Sequence, residues 1–333
     1  MKKVIVNTLS LACLFISINC FAQEKELYTF DKKIAITGNG GYDYLALDKV
    51  NNHLFVTHGT AVNVLDLATE TVIATIDSMK GVHGVAIDNI NNRGFISNGK
   101  TNSLVVFDLK TFKKIKNLTL SGKGVDAVLY DPFSKRIFAF NGDSEDASVI
   151  DPKTLAQLGN VILGGSPEFA VSNGSGIIYN NIENKNSIVA IDAKTLKVIN
   201  RFPIAPHGEP TALAYDKKNN RLFCGCRLSK DMIILDAKTG KKITSLPIGA
   251  GVDAIAYDEG TRFIFCSCGD GTTSIIKQNG VNTYQVLQTL KTQVKAKTLA
   301  LDPNTHKIYL SVADIEENTK TQIPNTFGVL VYQ

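Results

Sequence analysis

Seven positions of this 333-residue chain recur at near-constant spacing, and most carry groups able to do chemistry: Asp43, His83, Asp126, Glu168, Thr211, Asp253 and Lys297. The steps between them are 40, 43, 42, 43, 42 and 44 residues. Four carboxylates gathered with one imidazole and one ammonium would repel one another strongly. A bound cation, raised carboxyl pKa values or water would relieve that repulsion. The same side chains could instead cap backbone amides and stay solvated, or work as an acid–base set. Asp43, His83, Asp126, Glu168, Asp253 and Lys297 are therefore the candidate ligand-binding residues.

A second series follows the same period: His58, Asn98, Asn141, Asn181, Cys226, Cys268 and Val312. With His207, the residues His58, Asn98, Asn141 and Asn181 form a candidate polar rim. Asp43, His58 and His83 come from adjoining units, and two imidazoles with a carboxylate suit zinc or another transition metal. Cys224, Cys226, Cys266 and Cys268 form C-G-C and C-S-C at equivalent places. They could be buried free thiols, a Cys226–Cys268 disulfide or a soft-metal site such as copper(I). The cofactor expectation is thus a divalent cation or copper.

The elements that must position these residues are legible as a repeat. Asp48, Asp88, Asp131, Asn173, Asp216, Asp258 and Asp302 stand five residues after each member of the first series. The run before each alternates small and apolar residues, as in YLALD, GVAID, AVLYD and AIAYD, which is the period of a strand. Turns such as DKVNNH and DPFSKR follow, where Asp bonds nearby backbone and Asn accepts a left-handed conformation. A second strand (HLFVTH, RGFISN, RIFAFN), a third ending in Asp (VNVLD, LVVFD, MIILD), a D-x-x-T turn and a fourth strand complete each unit. Seven units of about 42 residues with four short antiparallel strands predict an all-β, seven-bladed β-propeller. Unit seven ends at GVLVYQ without a fourth strand. Residues 33–37 are expected to supply it and close the ring, removing an open sheet edge.

On this fold, the loop into each innermost strand and the loop between strands two and three share one face, here called upper. The first series lies at the mouth of the central channel on that face. His53 and His306 fall on the lower face. Residues 313–326 form a long upper-face loop in the last blade, a length often found in binding loops. The stretch from Gly94 to Thr101 fits G-x-x-x-x-G-K-T, but it lies on a second strand and hairpin turn rather than before a helix, so it is not a phosphate loop.

The units resemble the YVTN-repeat, YncE-like family of seven-bladed propellers. The likeness is carried by LFVTHGTAVNVLDLATETVIATI (54–76) and LFCGCRLSKDMIILDAKTGKKI (222–243), with FVTH, FISN and FAFN standing where the family has YVTN. The resemblance implies the propeller fold and suggests single-stranded DNA as one ligand class. Charge argues against nucleic acid. Residues 1–22 have the layout of a secretory signal peptide: Lys2 and Lys3, an apolar run from Val4 to Ile18, then cleavage after Ala22. The poor fit of Ser17-Ile18-Asn19 before Cys20 argues against a lipoprotein. Removing this leader takes the formal net charge from +5 to +3, far from a basic stripe. The chain has no Trp, which weakens a sugar-binding reading; Tyr42 and Phe169 could substitute only in part.

The expectation is a periplasmic or secreted monomer, with one propeller domain over 23–333 and no membrane span in the mature chain. It would bind a small molecule or protein on the upper face. The alternative is a metal-assisted lyase or lactone hydrolase using the channel-mouth carboxylates, which is an inference by fold analogy.

Overall fold

The computed structural model describes Met1, residues 26–319 and residues 321–333. The expected leader, residues 1–22, lies almost wholly outside the described residues. Seven four-stranded antiparallel sheets form the blades. Blade one runs Tyr42–Asp48, His53–His58, Ala61–Asp66 and Thr71–Ile76, from channel to periphery. Five more blades repeat that order, with innermost strands Val82–Asp88, Val125–Asp131, Pro167–Ser172, Pro210–Asp216 and Val252–Asp258. No α-helix occurs among the described residues, and none there is long and apolar enough to cross a membrane. Gly94 to Asn98 lies within a second strand, followed by a single 3-10 turn at Gly99–Thr101, so the phosphate-loop geometry is absent.

The blades are held together by apolar clusters at the junctions between neighbours. One contains Phe55, Val62 and Val64 of blade one against Val85, Ile96 and Phe107 of blade two. The second strand supplies a large buried side chain at an equivalent place in most blades: Phe55, Phe95, Phe138, Phe223, Phe265 and Tyr309 are all at most 1% exposed. Blade four has Ile178 there. Lower-face turns are set by Asp side chains. Asp48 accepts hydrogen bonds from the backbone N–H of Val50 and Asn51, and Asp88 does the same for Ile90 and Asn91.

Blade seven draws three strands from the C-terminal end, Leu299–Leu301, Ile308–Val312 and Gly328–Tyr332, and its outer strand from the N-terminal end, Phe30–Ala35. Ile34 pairs with Val329 and Ala35 with Gly328. The strand begins three residues before the expected 33–37 and stops at Ala35, although the Ile36 N–H still donates to the Phe327 carbonyl at 3.0 Å. Ile34 and Ile36 pack against Leu54, Val56 and Leu65 of blade one, so the closing strand also seals the junction between the last and first blades. Glu70 of blade one adds a polar clasp, pairing with Lys32 of the closing strand and with Lys307 of blade seven at 2.9 Å. Deleting residues 23–37 from the leaderless chain should cost at least about 3 kcal/mol, the worth of two buried isoleucines. Thermal unfolding measures this; an unchanged midpoint would contradict closure by this strand.

Candidate functional site at the upper channel mouth

The first series reaches the channel by a shared local device. Six of its members lie in a β-bulge near the upper end of their innermost strand, where the register slips between Tyr42 and Leu45, Val82 and Val85, Val125 and Val128, Pro167 and Ala170, Pro210 and Ala212, and Val252 and Ala254. A bulge bends the strand and re-aims a side chain, but it leaves backbone groups without ladder partners. Those groups must be satisfied when buried. Thr57 Oγ1 accepts the Asp43 N–H at 3.1 Å and donates to the Tyr44 carbonyl at 3.0 Å. Ser97 Oγ accepts the Gly84 N–H at 2.7 Å, and Asn180 Nδ2 donates to the Glu168 carbonyl at 2.8 Å. In these three blades the third letter of the FVTH-like phrase thus supports the bulge that presents the site.

On one side of the mouth, His83 Nδ1 lies 2.8 Å from Asp43 Oδ2 and 3.6 Å from Asp126 Oδ1. One ligand atom from each of these three residues falls within 4.8 Å of the others. The hydrogen bond to Asp43 raises the His83 pKa, helped by the Asp126 charge. Burial and the Asp43 carboxylate push Asp126 up to about 6, with His83 opposing. Among the described residues Asp126 Oδ1 is buried without a hydrogen-bond partner, although 37% of the whole side chain is exposed. An orphaned carboxylate oxygen beside a histidine and a second carboxylate is a donor set suited to a divalent cation.

The metal set expected from the spacing needs correction. His58 is not in this cluster. Its ring stacks on Phe327 with centroids 3.8 Å apart, and burial lowers its pKa. Asp126 takes the place that His58 was expected to fill.

On the other side, Asp253 is 3% exposed and holds two cations, Lys297 and, at 2.6 Å, Arg227. Arg227 also pairs with Glu183 at 2.9 Å. Asp253 is thus already neutralised within the chain. Glu168 is pushed up to about 9, first by burial and then by Glu183 and Asp126, with Arg227 opposing. It is a neutral acid at pH 7. Thr211 is fully buried and donates to the Glu209 carbonyl. The period that located the ring gave no sign of Arg227 and Glu183. Both lie in upper-face turns after the second strand, in CGCRLSKD and NNIENKN, and only their charge marked them.

Beneath the ring, Tyr44 of blade one meets Phe169 of blade four, with ring centroids 5.2 Å apart. These blades are not neighbours, so the contact spans the channel and floors the mouth. Burial, with Asp126 and Asp43 close by, drives the Tyr44 pKa well above its usual value. Beside the mouth, between blades one and two, lies a cavity of about 520 Å³ with Asp43 and His83 in its wall.

The expected rim is mostly internal structure. Asn98 accepts the Lys80 N–H at 2.6 Å, Asn141 donates to Asp146 and Ser148, and Asn181 donates to the Ala212 carbonyl. All three are at most 5% exposed. His207 sits between Asp231, 2.6 Å away, and Lys242, 3.0 Å away, apart from the channel. The four described cysteines are free and buried, with no Cys226–Cys268 disulfide. Cys226 and Cys268 belong to different apolar clusters. Burial raises the Cys268 thiol to about 12.

No protein-family model and no curated protein matches the chain. The architecture has abundant company among solved structures. A chain of the "Crystal Structure of Mitotic Checkpoint Complex" superposes with a TM-score of 0.76 over 100% of this chain and 98% of that one, at 13% identity. In all, 1766 solved chains match. So common a fold serves many proteins, and at that identity the likeness shows the fold alone. The β-propeller fold commonly mediates binding or scaffolding.

Glu168 supplies a pH test. In the folded chain it keeps its proton to about 9. Unfolded, it loses it near the ordinary carboxyl pKa. Between those limits the folded state binds more protons, so stability falls as pH rises. Glu168→Gln, which mimics the neutral acid, should stabilise the fold at pH 8 by about 1–2 kcal/mol, a figure discounted for channel water, and leave it unchanged at pH 4. Denaturant titrations at both pH values check this; an unaltered pH slope would contradict it.

Proposed function

We propose that the chain is an exported binding protein that uses the upper channel mouth, where Asp43, His83 and Asp126 hold a divalent cation. The observation that carries this is the buried, unpartnered Asp126 Oδ1 beside His83 and Asp43. Asp253 has its own counter-ions and lies outside the site. One imidazole nitrogen and two carboxylate oxygens suit zinc or manganese better than copper(I), which prefers thiolates. Membership of the YVTN-repeat family, export through residues 1–22 and a single domain over 23–333 belong to the same reading. The phrases at 54–76 and 222–243 and the leader-like N-terminus support them.

One observation favours a second reading, a metal-assisted lyase or lactone hydrolase. His83 and Asp126 sit 3.6 Å apart beside a cavity, the His83 pKa is raised by its hydrogen bond to Asp43, and Asp126 is pushed up to about 6, nearer the range of useful general acids and bases.

Thermal melting in chelator, then with Zn²⁺, Mn²⁺, Ca²⁺, Mg²⁺ or Cu⁺, tests the site. Zn²⁺ or Mn²⁺ should stabilise the fold by about 2.7 kcal/mol at a hundredfold excess over Kd. His83→Gln and Asp126→Asn should each abolish the shift. No shift with any cation, or a shift that survives Asp126→Asn, would defeat the proposal. Lactone turnover by the metal-loaded protein, lost in His83→Gln, would move the assignment to the enzyme.

A further inference from the structure

The cavity between blades one and two is lined by groups of opposite charge. Asp43 and His83 of the channel mouth line it, and so do Lys80 and Lys100. The main chains of the two lysines are tied together, and both side chains are exposed. The Lys100 N–H donates to the Lys80 carbonyl at 3.2 Å, and the Lys80 N–H donates to Asn98 Oδ1. The Lys100 stem lies over Gly81, where an added Cβ would come within 3.1 Å of its Cγ, so a larger residue at 81 would displace it. Among the described residues, neither lysine takes part in an ion pair.

This basic patch is local to the cavity. The residues equivalent to Lys100 in the other blades are Thr60, Asp143, Glu183, Leu228, Asp270 and Asp314. Four of those six are acidic, so the lysine is not a general feature of the upper rim. The volume of about 520 Å³ falls in the range of small-molecule sites.

We propose that this cavity binds a small organic anion, a carboxylate or phosphate compound, with its charged group on Lys80 and Lys100 and its body directed toward Tyr42 and His83. The proposal rests on the reading of the upper mouth as a binding face, but not on the cation. Two lysines lining one concave wall attract an anion, and charge-assisted hydrogen bonds to it are about twice as strong as neutral ones.

Gly41 offers a clean way to block the site. It lines the cavity, and an added Cβ there would meet nothing within 4 Å. Gly41→Leu therefore starts its side chain in open space at the cavity wall and should occupy part of the cavity.

The test is calorimetric titration of the leaderless chain with citrate, malonate and inorganic phosphate, in chelator and at constant ionic strength. An organic anion should bind saturably and more tightly than inorganic phosphate. Lys80→Gln and Lys100→Gln should each weaken it at least about tenfold, as expected for loss of one charge-assisted bond. Gly41→Leu should abolish it while the melting midpoint stays near that of the parent. No saturable binding, binding by inorganic phosphate alone, or affinity unchanged in both lysine variants would overturn the proposal. The zinc or manganese shift is measured separately on Lys80→Gln, Lys100→Gln, so failure of the anion site and failure of the cation site give different results.

Discussion

The structure depends on one local constraint, the β-bulge near the upper end of the innermost strand. A flat strand would alternate its side chains between the two neighbouring blades. The bulge adds a residue and turns one side chain into the channel instead. Its freed backbone groups are covered by a hydroxyl or amide from the second strand, as Thr57, Ser97 and Asn180 show. Where that residue is Phe140 or Gly225, no such side-chain bond exists, and Phe140 joins the apolar core. The first six blades are therefore alike in backbone at this point while their channel-mouth side chains differ.

That freedom gives the mouth two unlike halves. Around Asp253, two cations and Glu183 satisfy one another, and Glu168 stays neutral by keeping its proton. Around Asp126, no hydrogen bond from the described residues completes the oxygen that faces His83. Burying a charge without a partner is costly, whereas a paired charge can be held. The first half thus acts as fixed structure and the second as an acceptor. The Tyr44–Phe169 contact crosses the channel beneath both.

Most of the fold was legible in the sequence. The Asp spacing gave the blade count, and the missing fourth strand gave the closure, because both follow from local alternation and turn chemistry. The ring positions were legible for the same reason. Their pairing was not. Asp253 meets both Arg227 and Lys297 from the two adjoining blades, and a 42-residue period marks positions without encoding which side chains pair across blades. His58 was misplaced into the metal set because period alone does not show that Phe327, 269 residues later, stacks on its ring. The asparagine rim failed similarly. Asn is suited both to solvent and to buried backbone partners, and only the packed structure separates them.

The central claim is that the open half of the mouth, and not the whole carboxylate ring, takes a cation. Anomalous diffraction from crystals grown with Zn²⁺ tests it most directly. The account predicts one strong peak bonded to His83 and to carboxylate oxygens of Asp43 and Asp126, at about 2.0–2.2 Å. No peak should occur at Asp253. A peak at Asp253 or centred on the full ring, or none at the triad under saturating metal, would contradict it.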